Sequence, residues 1–368
     1  MPDETGCSGR QEKSRAGYKK IAGINLPEGD RYRVHQGVVG IQQLLSVPED
    51  RVADNHHQHS WEMVESFIRA EGLDGIELVF GKDPGSLPVP EGLVKTVHLP
   101  IWPGWTRTWK RPQSIPAGGD PAGIVAHYGA LTPEKLMERF SQNLGRAAAF
   151  RAGYAVIHAS HYEPDETGLQ PGRFRPRGIL AAAASFANAL ASRYPGGEPP
   201  VTLAFENLWF CGLTFLAPGD AEYFTGLLTF DNWIFLLDTG HLMSALQCES
   251  EHEGIRDVIR VIDRLPVATR QRIRAVHLHC STSGKRREAE SPPLELAGMP
   301  YRKRARALAD YHRQIDEHRP FSDPACRKII AMLRPDFIVH EFVANSPDTM
   351  QAAIRQQKAL LGDARAWG

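Results

Sequence analysis

The stretch WIFLLDTGH, residues 233–241, decides how the chain is read. Five apolar residues in succession, too short a run for a helix, describe a strand buried on both faces, as strands of a parallel sheet are. The run ends on Asp238, and after Gly240, which permits a tight turn, on His241. At i, i+3 spacing both side chains can face the same mouth. Asp238 could equally cap a following helix.

Working outward, seven more short apolar runs bounded by turn residues fall at 34–40, 75–80, 94–99, 154–158, 201–206, 273–279 and 337–342. Between them lie segments of helical period at 59–70, 133–151, 177–193, 254–264, 304–317, 323–333 and 347–361. Thr132 before Pro133 and Ser346 before Pro347 are helix-start signals. Eight strands alternating with helices predict an α/β (β/α)8 TIM barrel. The 368 residues then form one decorated domain, 31–368, behind a polar tail, 1–30. Two connections, 100–131 and 281–303, are too long for simple loops and follow strand C-terminal ends, where such barrels place their active sites.

Composition narrows the function. Hydrophobic residues are 42% and charged residues 23%, so a large core is available. Lys+Arg and Asp+Glu are both 43, and this balance argues against a dedicated nucleic-acid binder. Cys7, Cys211, Cys248, Cys280 and Cys326 are odd in number and form no C-x-x-C pair, which fits a reducing compartment. The first twenty residues lack an apolar core and no eighteen apolar residues run together, so the expectation is a soluble, cytoplasmic protein without a membrane partner. Phosphate loops, dinucleotide fingerprints and serine nucleophile elbows are absent. Fifteen histidines are the unusual count.

The strands end on polar residues: Glu77, His98, His158, Glu206, Asp238, His277 and Glu341. Burying isolated charges there costs several kcal/mol each unless a counter-charge is supplied. A cluster of divalent ions supplies it.

With these residues in view, the chain resembles the xylose isomerase-like TIM barrels, and among them the endonuclease IV branch, whose sites hold three metal ions. The resemblance rests on His98, His158, Glu206-Asn207, Asp238-Thr239-Gly240-His241, His277, Asp310-Tyr311-His312 and Glu341. It implies one ion on His98, His158 and Glu206, a second on Glu206, Asp238, His277 and Glu341, and a third on His241, Asp310 and His312. Two or three divalent ions, Zn, Fe or Mn, are the implied cofactors, and mixed nitrogen and oxygen donors suit all three. Leu208, Trp209 and Phe210 after Glu206-Asn207, and His279-Cys280 on the seventh strand, depart from the DNA-repair pattern. They point away from abasic DNA and toward a small-molecule or phosphorylated substrate.

Other residues keep two readings. His161 is a candidate ligand or proton donor, or a hydrogen-bonding neighbour of a ligand. His279, two residues beyond His277, either reaches the site or lies one layer deeper. Glu77 is a general base at the barrel mouth or a partner of a ligand. Trp102, Trp105 and Trp109, interleaved with Arg107, Lys110 and Arg111, form a stacking and phosphate-pairing wall or a lid folded on the rim. The basic runs 285–287 and 302–306 read as phosphate contacts or as solvated charge. The histidines of NHHQHS, 55–60, read as surface.

The leading expectation is metal-dependent hydrolysis of a phosphoester, with Glu206 and Glu341 as catalytic carboxylates and Trp102, Trp105, Trp209 and His279 lining the substrate. The alternatives are a sugar or polyol isomerase or epimerase, in which Glu206 and Glu341 exchange a proton, and a multinuclear non-haem iron oxidase acting on a peptide or small molecule.

Overall fold

A computed structural model describes residues 40–53, 60–81, 89–115, 120–163, 175–217, 219–284 and 301–362; the 1–30 tail and most of the 281–303 connection lie outside them. Eight parallel strands close into a barrel: β1 Gln42–Pro48, β2 Gly75–Val79, β3 Val94–His98, β4 Tyr154–His158, β5 Thr202–Glu206, β6 Trp233–Asp238, β7 Ile273–His277 and β8 Phe337–His340. Each pairs with its sequence neighbour, and β1 pairs with β8. The (β/α)8 expectation is met.

The first strand lies later than its sequence suggested. Gln42 and Gln43 interrupt the apolar run, yet they stand inside β1, while Gly40 has a left-handed φ of 110° and residues 34–39 lie outside the described set. Gln43 is tolerated because its polar groups are satisfied: its N–H donates to Asp74 at 2.8 Å and its side-chain oxygen meets His340 Nε2 at 3.1 Å.

Alternation sorts the strands into two faces. Tyr154, Val156, Ala204, Ile234, Leu236 and Ala275 form one buried cluster inside the barrel. Ala155, Ile157, Leu203, Phe205, Phe235, Leu237 and Val276 belong to the larger core under the helices. The period that places Val156, Ala204, Leu236 and Ala275 inward carries His158, Glu206, Asp238 and His277, two residues on, to the same side.

Helix Pro133–Ala149 starts where Thr132 accepts the Lys135 N–H, and Pro347–Leu361 starts in a reciprocal cap of Ser346 and Thr349. The 100–131 connection is itself folded, holding helices Trp105–Lys110 and Pro121–Tyr128. Trp102, Trp105 and Trp109 pack on Phe140 and Phe186 as a lid seated on the rim. No described helix is long and apolar enough to cross a membrane.

Candidate metal centre

Strand register sets the geometry. His158 and Glu206 are partners across β4 and β5, and Asp238 and His277 across β6 and β7; His98 ends β3 and Glu341 follows β8. Glu206 is 1% exposed and spans the group. Its Oε2 lies 3.3 Å from His98 Nε2 and 3.1 Å from His158 Nε2, and those two nitrogens face each other at 3.1 Å. Its Oε1 lies 3.1 Å from His241 Nδ1 and 3.4 Å from His277 Nδ1. His277 Nδ1 is also 2.8 Å from Glu341 Oε2 and 3.5 Å from Asp238 Oδ2.

A further group of donors is His241, Asp316 and His318. Asp316 Oδ2 stands 3.2 Å from His241 Nε2 and 2.5 Å from His318 Nε2. Asp310 and His312, the expected partners of His241, are not brought together with it. Asp310 is exposed and ion-paired with Arg313, and the His312 ring packs on Tyr162 and Phe210 at 4.7 and 5.0 Å. The reason is helical geometry. Helix Tyr301–Ile315 contains both residues, and side chains two apart on a helix point about 200° from each other. Asp316 lies just past the helix and His318 takes a left-handed φ of 47°, which turns both side chains back to His241. Asp316 and His318 were missed although they repeat the same Asp-x-His spacing six residues on.

The protonation pattern fits cation ligands. His98 Nδ1 lies 2.7 Å from the Leu99 carbonyl, His241 Nδ1 3.0 Å from that of Asn207 and His318 Nδ1 3.0 Å from that of Glu341. A carbonyl can only accept, so each Nδ1 donates to it, and Nε2 is the nitrogen left for an ion, which would displace any proton held there. His277 is reversed: its Nε2 meets Glu77 Oε1 at 2.9 Å, leaving Nδ1 to the cluster. Ligating histidines are oriented in this way by the partner of their second nitrogen.

Electrostatics agree. Burial opposes charge on His241 and His277, but Asp238 and Asp316 around the first and Glu77 and Glu341 around the second outweigh it and hold both pKa values well above the usual imidazole range. Burial also opposes ionisation of Glu206, yet His158 and His277 hold its carboxyl well below the usual range. Glu341, against the same opposition, is brought down to about 2, chiefly by His277. Carboxylates held ionised in the interior demand positive charge, from protonated imidazoles or from bound cations. Among the described residues, four overlapping sets could hold an ion, each with donor atoms within 4.8 Å: His98, His158 and Glu206; Glu206, Asp238 and His277; Asp238, His279 and Glu341; and His241, His279, Asp316 and His318.

The remaining expected residues fall elsewhere. Glu77 is fully buried below the mouth, where Oε2 accepts from Tyr154 at 2.7 Å and Thr96 at 3.1 Å and Oε1 lies against His277, away from the open mouth. His161 turns from the cluster: its Nδ1 meets Thr106 and its Nε2 lies 2.8 Å from Glu163, which also pairs with Arg107 at 2.7 Å. Trp102 and Trp105 are 2% and 3% exposed, bordering a cavity beside His98 and His158 without forming an open wall. Trp209 does stand at the mouth, its ring 4.8 Å from that of His241. His279 has no exposed surface and therefore lines no substrate.

No known family's sequence profile matches the chain, and no curated protein matches it. Among solved structures the chain is similar to endonuclease IV from Thermus thermophilus, with 16% identity over 87% of this chain and 98% of that one and a TM-score of 0.47. It is similar to an L-ribulose 3-epimerase at 16% identity over 88% and 95%, TM-score 0.49. A 3-keto-D-glucoside 4-epimerase from E. coli matches at 11% identity over 87% and 98%, TM-score 0.44. At such identities the likeness is one of fold.

Proposed function

We propose that the protein is a metal-dependent enzyme that hydrolyses a phosphoester-type substrate at a cluster of three divalent ions. The ligand sets are His98, His158 and Glu206; Glu206, Asp238, His277 and Glu341; and His241, Asp316 and His318. One observation carries the reading: the buried imidazoles of His98, His241 and His277 and the partly buried one of His318 each place one nitrogen against a backbone carbonyl or Glu77 and the other toward the clustered carboxylates. Simple sugar isomerisation needs only the middle set, so the His98–His158 pair and the His241–Asp316–His318 group favour multinuclear hydrolysis.

When bound, zinc, manganese or iron would polarise phosphoryl oxygens and make water a stronger acid near neutral pH. The chain's own residues do the positioning. Glu206 divides its two oxygens between the His98–His158 side and the His241–His277 side, which fixes the spacing of the sets. Asn207 keeps β5 and β6 in register, accepting from the Asp238 N–H at 2.8 Å and donating to its carbonyl at 3.1 Å. Trp209 and Phe210, with ring centroids 4.5 Å apart and planes tilted by 40°, present an aromatic wall beside His241 to the organic part of the ester.

The test combines metal analysis with turnover of bis(p-nitrophenyl) phosphate and p-nitrophenyl phosphate. Three ions per chain, phosphoesterase activity lost on chelation, and its return with metal are expected. Asp316→Ala and His318→Ala should each lose one ion, whereas Asp310→Ala and His312→Ala should retain all three. Protein holding one ion and epimerising ketoses without cleaving either ester would refute the assignment.

A further inference from the structure

His279 breaks the pattern of the other imidazoles. It is fully buried, its Nε2 lies 2.9 Å from Asp238 Oδ2, and its Nδ1 has no hydrogen-bond partner. A protonated Nδ1 would therefore be a buried donor without an acceptor. Nε2 is engaged by Asp238, and the Nδ1 edge lies against Gly240, where an added Cβ would fall 2.2 Å from it, so the nitrogen without a partner faces backbone and not the cluster. The ring also stacks on His318 with centroids 4.1 Å apart and planes 6° from parallel. A ligating nitrogen binds in the plane of its ring, so rings stacked in this way are poorly placed to share one ion.

Two neighbours hold the ring there. The Thr239 hydroxyl accepts from the His279 N–H at 3.1 Å and lies 2.7 Å from the His279 carbonyl. Gly240 lies against the ring edge: a Cβ at that position would fall 2.0 Å from His279 Cε1 and 2.2 Å from Nδ1. Asp238 Oδ1 is already committed to the His241 N–H at 2.6 Å, so the His279 bond fixes the oxygen that faces the cluster.

We propose that His279 is a positioning residue and not a ligand: it fixes Asp238 through Nε2–H and braces His318 by stacking, and position 240 is glycine because any side chain there displaces this ring. The inference rests on the metal-centre reading above.

The test uses the full chain loaded with cobalt or zinc and reads ion number, chelator-competition affinity and the cobalt visible spectrum. His279→Leu should bind as many ions at saturation as the parent while holding the weakest one about 10–100-fold less tightly. His279→Gln, whose amide still donates, should recover most of that loss, a rescue that simple space-filling does not give. Gly240→Ala should reproduce the His279→Leu loss in the parent and add nothing in the His279→Leu background. If His279→Leu lacks an ion at saturation, or its cobalt spectrum shows a lost nitrogen donor, His279 is a ligand and the proposal is wrong. Equal penalties for Gly240→Ala in both backgrounds, or unchanged affinity in His279→Leu, also overturn it. A parent protein that binds no ions at all sinks the metal-centre reading itself, an outcome distinct from these.

Discussion

Glu77→Gln tests whether a buried carboxylate under the barrel mouth controls a ligand it does not share. In the parent, Glu77 Oε1 faces His277 Nε2 while Oε2 accepts from Tyr154 and Thr96. Glutamine keeps the shape but replaces one acceptor with an N–H2 donor. If the new oxygen stays with Tyr154 and Thr96, the amide N–H2 meets His277 Nε2 and drives the proton to Nδ1, the nitrogen aimed at the cluster. In the other orientation His277 keeps its tautomer but loses the charge of the carboxylate 2.9 Å from its Nε2. Either way the ion held by His277, Asp238, Glu206 and Glu341 should bind about 10–100-fold more weakly. That is roughly 1.4–2.7 kcal/mol. The assay is chelator competition on the metal-loaded protein, with urea unfolding of the metal-free protein as the control for folding. Glu77→Leu should lose more, because His277, Tyr154 and Thr96 are then left as buried polar groups at about 1–3 kcal/mol each. Affinity within twofold of the parent in Glu77→Gln would refute the argument that Glu77 sets the His277 tautomer.

Two further outcomes are expected. Glu163→Ala leaves Arg107, His161 and Tyr128 facing a buried gap where the carboxylate made contacts of 2.7, 2.8 and 2.6 Å, and should cost about 3–5 kcal/mol in urea unfolding. A loss under 1 kcal/mol would show that the lid is held without this network. The thiols of Cys248, Cys280 and Cys326 are each pushed up to about 12, mainly by burial, so they should resist iodoacetamide in the native protein at pH 8 and react only after unfolding. Intact-mass analysis of native labelling checks this, and rapid modification of any of the three would contradict their burial.

Much of the architecture was legible in local pattern. Seven of the eight barrel strands overlap the apolar runs because apolar residues dominate them despite Glu77 in β2, Lys95 and Thr96 in β3 and Arg274 in β7. The first was misplaced for the converse reason: Gln42 and Gln43 are acceptable in β1 only through partners on Asp74 and His340, residues far away in sequence. The site divides along the same line. His98, His158, Glu206, Asp238, His277 and Glu341 end strands or follow them directly, so strand period alone brings them together. Asp316 and His318 depend on where a helix stops. Two Asp-x-His spacings lay six residues apart, and only the second follows the helix end, with Pro320 just beyond it. A helix cannot aim residues i and i+2 at one ion, so a sequence argument could have separated them. The turn of His161 away from the cluster toward Glu163 had no local signal, since it depends on Thr106 and Arg107 in the folded lid.

The pairing of β1 with β8 gives the barrel an order of assembly. Gln43 and His340 meet across 297 residues of chain, and Glu341 directly follows the strand that makes this closure. A nascent chain long enough to present His98 and His158 still lacks its last carboxylate until β8 has been made. Ring closure and completion of the donor set therefore draw on the same strand, and an ion captured there would act as a latch on the seam between the first and last strands of the barrel.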